Sequence, residues 1–193
     1  MAMPGNRRVV KYKEGQPLVE LIRQPLYHML EVQAATSQTL QFFSGVNPSN
    51  KLVTNLVTNG MLPTPHTFDI FGLSVVLEFG LNPDDWYRFY NNSFVNFKVS
   101  TKDYLTVPVH KIPASCGPVG IATTTKTDTT IFAVSNGWPA PGIWFPMDID
   151  GISIHLPSNQ DFSLTIQTLN TTAFTQAFKV WVYLDGILSQ PVM

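Results

Sequence analysis

Asp148 and Asp150 stand two apart in Phe145-Pro146-Met147-Asp148-Ile149-Asp150, a spacing that puts both carboxylates on one face of a strand. Such a pair can share a calcium ion, or divide acid and base roles on a glycoside. The same alternation also describes an outward polar stripe opposite Phe145, Met147 and Ile149, and that reading is preferred. Ser153 and His155 share a face too. A nucleophile and its base need a mutual hydrogen bond and a third orienting group, and no Gly-x-Ser-x-Gly elbow surrounds the serine. His28, His66, His110 and His155 never fall at metal-ligand spacing, so each is read as a surface or turn residue. Cys116 lies in Ala-Ser-Cys-Gly-Pro, with only Lys111 near enough in sequence to favour a thiolate, and reads as a small residue in a turn. Glycine-rich phosphate loops are absent from the sequence. No catalytic residue, cofactor site or metal ligand is assigned, and the expectation is a protein that is not an enzyme.

Aromatic residues form the remaining candidate site. Trp138, Trp144 and Phe145, set among Pro139, Pro141 and Pro146, could stack on a sugar or on single-stranded nucleic acid. The basic residues that would hold a nucleic-acid backbone are not interleaved with them. Packing on the end of the fold or on a neighbouring subunit fits them better.

The elements that must position these residues are strands. Phe178, Val180, Val182 and Leu184 alternate with Lys179, Trp181, Tyr183 and Asp185, so one face of this strand lies in a core and Asp185-Gly186 turns or bulges the chain. Phe71, Leu73, Val75, Leu77 and Phe79 repeat the pattern, as do Val95, Phe97 and Val99, and Phe162, Leu164 and Ile166. On this reading Ile70, Val76 and Trp181 point outward as apolar positions for subunit contact. Asn82-Pro83-Asp84-Asp85 starts a short helix with Trp86, Phe89 and Tyr90 on one face: Asn caps, Pro fits the first turn and the acids favour the positive end of the helix dipole. Further strands are expected at 26–32, 37–43, 66–80, 93–100, 103–109, 129–135, 143–156 with a break at Gly151, 161–169 and 174–185, with loops over 45–65 and 113–127.

The fold class is therefore all-β: a single eight-stranded jelly-roll sandwich with one short helix and an extended N-terminal arm. Residues 1–24 read as a basic, flexible arm and residues 25–193 as the jelly-roll domain. At 193 residues, 44% hydrophobic and with 13 Phe, the chain suffices for one substantial core.

Charged residues make up only 13%, which suits a surface covered by neighbours better than one kept apart by repulsion. A net charge of −1 excludes a globally basic nucleic-acid binder, although Arg7, Arg8, Lys11 and Lys13 all precede the first acid, Glu14. The single cysteine forms no internal disulfide, and no apolar run resembles a secretion signal or a transmembrane helix, so the chain is expected not to be secreted. Asn91-Asn92-Ser93 and Asn170-Thr171-Thr172 match the glycosylation pattern by chance on that expectation.

Several segments in order carry a resemblance: Leu62-Pro63-Thr64-Pro65 before a strand with Phe68 and Ile70, the helix with Trp86 and Tyr90, Lys102-Asp103-Tyr104-Leu105 leading to Pro108 and Ile112-Pro113, and Val182-Tyr183-Leu184-Asp185-Gly186-Ile187-Leu188. Together, over residues 38 to 193, they resemble the small single-jelly-roll major capsid proteins of tailless icosahedral phages, many of which enclose a membrane. The resemblance implies a structural virion protein, assembled in the host cytoplasm, that oligomerises into capsomers of an icosahedral shell. The implied partners are copies of itself and other capsid proteins, a second major or a penton protein, with no specific nucleic acid. Arg7, Arg8, Lys11 and Lys13 would then reach under a neighbour or touch an internal viral membrane. A carbohydrate- or receptor-binding sandwich, such as a virion spike domain or a lectin-like module, would use the same fold with its aromatics in a groove.

Overall fold

Period-two alternation places apolar side chains on one face of each strand, and two such faces closing on each other make the core. The computed structural model describes residues 9–11, 19–45, 50–78, 81–113 and 144–191. Its strands are β1 Val9–Lys11, β2 Val19–Arg23, β3 Leu26–Val32, β4 Ser37–Phe42, β5 Thr67–Leu77, β6 Ser93–Val99, β7 Lys102–Pro108, β8 Phe145–Pro146, β9 Ile154–Leu156, β10 Phe162–Leu169 and β11 Phe178–Pro191. Of these eleven, β1, β8 and β9 have only two or three residues, so eight longer strands carry the fold. One sheet orders β1-β2-β11-β5-β8, with β3 also on β11 and β9 also on β5; the other orders β4-β10-β6-β7. All pairings among the named strands are antiparallel, and the two sheets form a sandwich. The strand expected at 129–135 lies outside the described residues, as does the loop from 114 to 127.

β11 is the axis of the larger sheet. On one side it pairs β5 from Val180 to Ser189. On the other, Phe178 to Leu184 pair with β3, and Ile187 to Pro191 pair with β2. The register does not change between the two: Leu184 faces Leu26 and Ile187 faces Arg23. β2 and β3 are thus one long strand interrupted at Gln24-Pro25, where proline supplies no N–H for the ladder. This corrects the boundary set at residue 25. Val19–Arg23 belongs to the sheet and β1 adds to it, so the arm expected over 1–24 is partly strand. Pro25 only punctuates a strand.

Phe178, Val180, Val182 and Leu184 are buried as the alternation requires, as are Val95, Phe97, Val99, Phe162, Leu164 and Ile166. On β5 the pattern changes sides. Leu73, Val75 and Leu77 are buried, but so are Phe68 and Ile70, while Phe71 is half-buried. The register explains this: Asp185 faces Gly72 and Gly186 faces Ile70, leaving Phe71 as the extra residue of a β-bulge. Ile70, expected to point outward, is fully buried. A bulge re-aims every side chain beyond it, and the sequence alternation at Phe71 stops predicting the face.

Helix α1, Pro83–Asn91, starts where the residues require. The Asn82 side chain accepts from the Asp84 N–H at 2.9 Å, and Trp86, Phe89 and Tyr90 pack on the core. Asp85 does more than complement the helix dipole. It is fully buried, accepts the backbone N–H of Thr175 at 3.0 Å and the Thr175 hydroxyl, and lies 3.7 Å from Arg88. It thereby ties the helix to the segment leading into β11.

His28 departs from the expectation of a surface or turn residue. It lies on the inward face of β3, 2% exposed, packed edge-on against Phe42 and close to Phe43. Its Nδ1 accepts the Phe43 N–H at 2.7 Å, and desolvation lowers its pKa to about 4. Phe43 has φ +66, a conformation unusual for a non-glycine residue, and this buried acceptor satisfies its amide.

Candidate interaction surfaces

Asp148 and Asp150 do not share a strand face. β8 stops at Pro146, and the chain forms a tight hairpin in which Ile149 and Ile152 exchange both backbone hydrogen bonds, at 2.8 and 3.1 Å. Asp150 and Gly151 form its two-residue turn, with φ of +51 and +78. Two central residues with positive φ match the twist of a hairpin, and Asp-Gly supplies them at low cost. Ile149, expected on the inner face, is 76% exposed and Ile152 is 74% exposed, whereas Met147 is buried. The carboxylates are separated by a turn rather than held as a pair.

This hairpin borders an opening between the sheets. β7 lies at the end of the four-stranded sheet, and β8 and β9 lie beyond β5 in the other. Between them runs a hollow of about 600 Å³, with Tyr104 on the β7 side, Met147 and Ile154 toward the core, and Ile149 and Ile152 on the hairpin side. A second hollow of about 190 Å³ adjoins it through Tyr104, Met147, Ile149 and Ile154. Lys102 stands 4.7 Å above the Tyr104 ring and has no acidic partner among the described residues, while Asp103 is paired with Lys98 at 3.2 Å. Asn96 and Lys98 hold the Asp103 carboxyl below the usual range.

Asp69 meets Ser153 and His155 on this side of the sheet. β5 and β9 pair so that Asp69 faces His155 directly. The carboxylate Oδ1 lies 2.8 Å from His155 Nδ1 and accepts from the Ser153 hydroxyl at 3.3 Å. A catalytic arrangement would direct the serine toward the imidazole, with the carboxylate on the far side. Here both groups converge on one oxygen, so the serine hydroxyl bonds to Asp69 and the histidine is oriented as a surface residue. Asp69 was not singled out from sequence, because only cross-strand register brings it to residues more than eighty positions away.

Trp144 lines a different hollow, of about 310 Å³, at the bulge. Its neighbours there include Arg23, Phe71, Asp148 and Asp185. The Arg23 guanidinium sits 5.6 Å from the indole centroid, and a side chain added at Gly72 would overlap the indole. Asp185 accepts from Ser74 at 3.3 Å, yet desolvation raises its pKa. Arg23 and Asp185 carried no local signal; strand pairing alone assembles the group. Phe145 faces Leu73 across β8 and β5 and packs against the core. Trp181 is half-buried on the outer face of β11 between Met29 and Val76.

Of the basic arm, Lys11 lies in β1 opposite Val19, and Arg7, Arg8 and Lys13 lie outside the described residues. Trp138 and Cys116 also lie outside them. Asn170, in one of the glycosylation patterns, is buried and accepts a hydrogen bond from Asn92 at 2.9 Å. No group of three or more histidine, cysteine or acidic side chains placed to hold a metal occurs among the described residues. No helix of the described residues is long and apolar enough to cross a membrane.

Comparison of the chain with protein-family models, with curated proteins and with solved structures gives no match.

Proposed function

We propose that this chain is a structural shell protein, a jelly-roll major capsid protein whose copies associate into capsomers of an icosahedral virion. The observation that carries the reading is the mismatch between charge and exposed apolar surface. Leu52, Val57, Tyr87, Ile149, Ile152 and Leu169 are each more than half exposed in a chain only 13% charged. Surfaces of this kind are stable in water when neighbours cover them. The segments that resemble phage capsid proteins support the same reading, with the virion as its location and copies of itself and other capsid proteins as partners. The convergence of Ser153 and His155 on one Asp69 oxygen favours a protein without catalysis. The basic N-terminal residues fit contact with a neighbour or an acidic membrane.

Electron microscopy of the purified full chain, alone and with the other shell components of its source, tests the reading. Regular closed or planar arrays are expected. A chain that stays monomeric at high concentration and enters no particle would overturn it.

The hollow around Trp144 favours a second reading, a carbohydrate- or receptor-binding sandwich. An indole, a guanidinium and two carboxylates around about 310 Å³ offer a hydrogen-bonding and stacking surface for a sugar. Selective binding on a glycan array, lost in Trp144→Ala, would support this alternative.

A further inference from the structure

We infer that the opening between β7 and the Ile149–Ile152 hairpin is a two-fold contact between copies of this chain. The inference deepens the self-association reading by naming the surface used. Three observations carry it.

The first is shape. The exposed Ile149 and Ile152 stand on the rim of the hollow that Tyr104, Met147 and Ile154 line. The recess also carries Lys102, Asp103, Ser153 and His155, and its apolar part, Tyr104, Met147 and Ile154, complements the projecting isoleucines. Under a two-fold rotation the isoleucines of each copy enter the recess of the other, and one patch serves both sides. The hairpin is suited to this, because its two-residue turn and its paired backbone hydrogen bonds fix the side chains before contact, so little ordering entropy opposes association.

The second is charge. Lys102 at one side of the hollow and Asp150 at the hairpin tip are both exposed, and neither has an ion-pair partner among the described residues. A partner with a one-signed surface would satisfy one and repel the other. A second copy presents both signs in reversed order, so Lys102 of each copy meets Asp150 of the other.

The third is the pair of sheet edges. β7 ends one sheet and β8 and β9 lie at the margin of the other, and among the described residues no further strand pairs with their outer sides. Edges left open invite uncontrolled pairing, and a defined contact between copies closes both together.

Sedimentation equilibrium of the full-length chain tests the contact. The wild type is expected to form dimers with increasing concentration. Ile152→Asp should raise the dimer dissociation constant at least about tenfold, while its melting temperature equals that of the wild type when both are diluted to monomers, since the residue is 74% exposed within one chain. Lys102→Asp and Asp150→Lys should each weaken self-association by placing like charges together. Mixed in equal amounts they should associate with each other as the wild type does, because each interface then regains two opposite-charge pairs. Wild-type dimerisation by Ile152→Asp, or by both charge variants separately, would overturn the inference. So would a melting temperature of Ile152→Asp below that of the wild type under conditions where both are monomeric, which would make the patch internal to one chain. Particle formation read in parallel separates the two claims: dimers without particles remove the shell reading and leave this contact, and particles built from Ile152→Asp chains remove the contact and leave the shell.

Discussion

Protonation of His28 should make this fold acid-sensitive between neutral pH and about pH 4. The imidazole is 2% exposed, packed by Phe42 and Phe43, opposite Val182 in the sheet and bridged to Thr54, and its Nδ1 must stay unprotonated to accept the Phe43 N–H. Desolvation lowers its pKa from 6.5 to about 4. Above pH 6.5 the residue is neutral in both folded and unfolded chains, and it adds no pH dependence. As pH falls from there, the unfolded chain binds a proton that the fold refuses, and stability drops by up to about 1.4 kcal/mol per pH unit. Below about 4 the fold takes the proton as well, and the loss levels off at about 3 kcal/mol. Against the roughly 5–15 kcal/mol typical of whole domains, that is a substantial share. Urea unfolding followed by tryptophan fluorescence at a series of pH values should show this slope in the wild type. It should be reduced in His28→Gln, whose amide oxygen can still accept from Phe43 but does not titrate. Nuclear magnetic resonance of the His28 ring gives the decisive number. A midpoint near the ordinary histidine value, or identical pH slopes for wild type and His28→Gln, would refute the burial argument.

Val182→Asp places an ion on a fully buried position and should give insoluble chain, whereas Lys179→Ala, exposed on the opposite face, should change stability by less than about 1 kcal/mol; soluble yield and chemical unfolding decide it. Gly72→Ala drives a methyl group into the Trp144 indole and should cost about 1–3 kcal/mol, most of which disappears in a Trp144→Ala background; equal costs in both would show that the clash is elsewhere. Asp85→Ala leaves the Thr175 amide and hydroxyl without their acceptor and should cost about 2–4 kcal/mol, measured by thermal unfolding.

Much of the sandwich was legible because strands with regular pairing keep their alternation. Phe178 to Leu184, Val95 to Val99 and Phe162 to Ile166 all bury the residues expected, and the Asn82-Pro83 start of the helix was written in local chemistry. Failures came where one residue changed the count or where a partner lay far away. Phe71 shifts the parity of β5, which hid the burial of Ile70. Alternation alone gives a strand over 143–156 broken at Gly151, whereas Asp150-Gly151 as a dipeptide is a strong hairpin signal that pairs Ile149 with Ile152 across the turn. Residues 1–24 read as an arm from their basic, polar composition, because nothing local reveals that Ile187 to Pro191 pair with Val19–Arg23. The Asp69, Ser153 and His155 group and the surroundings of Trp144 depend on register, which composition does not encode.

The long pairing of β11 also sets a timetable for biosynthesis. Glu20 and Gln190 are hydrogen-bonded across 170 residues, and Ser74 and Asp185 across 111. On a ribosome, β2, β3 and β5 emerge long before the strand that joins them. Until Phe178–Pro191 is made, their edges facing β11 have no partner, and the nascent chain has to remain open or shielded by chaperones. Sheet closure is therefore a late event, and the sandwich is completed only after the polypeptide through Pro191 has been synthesised.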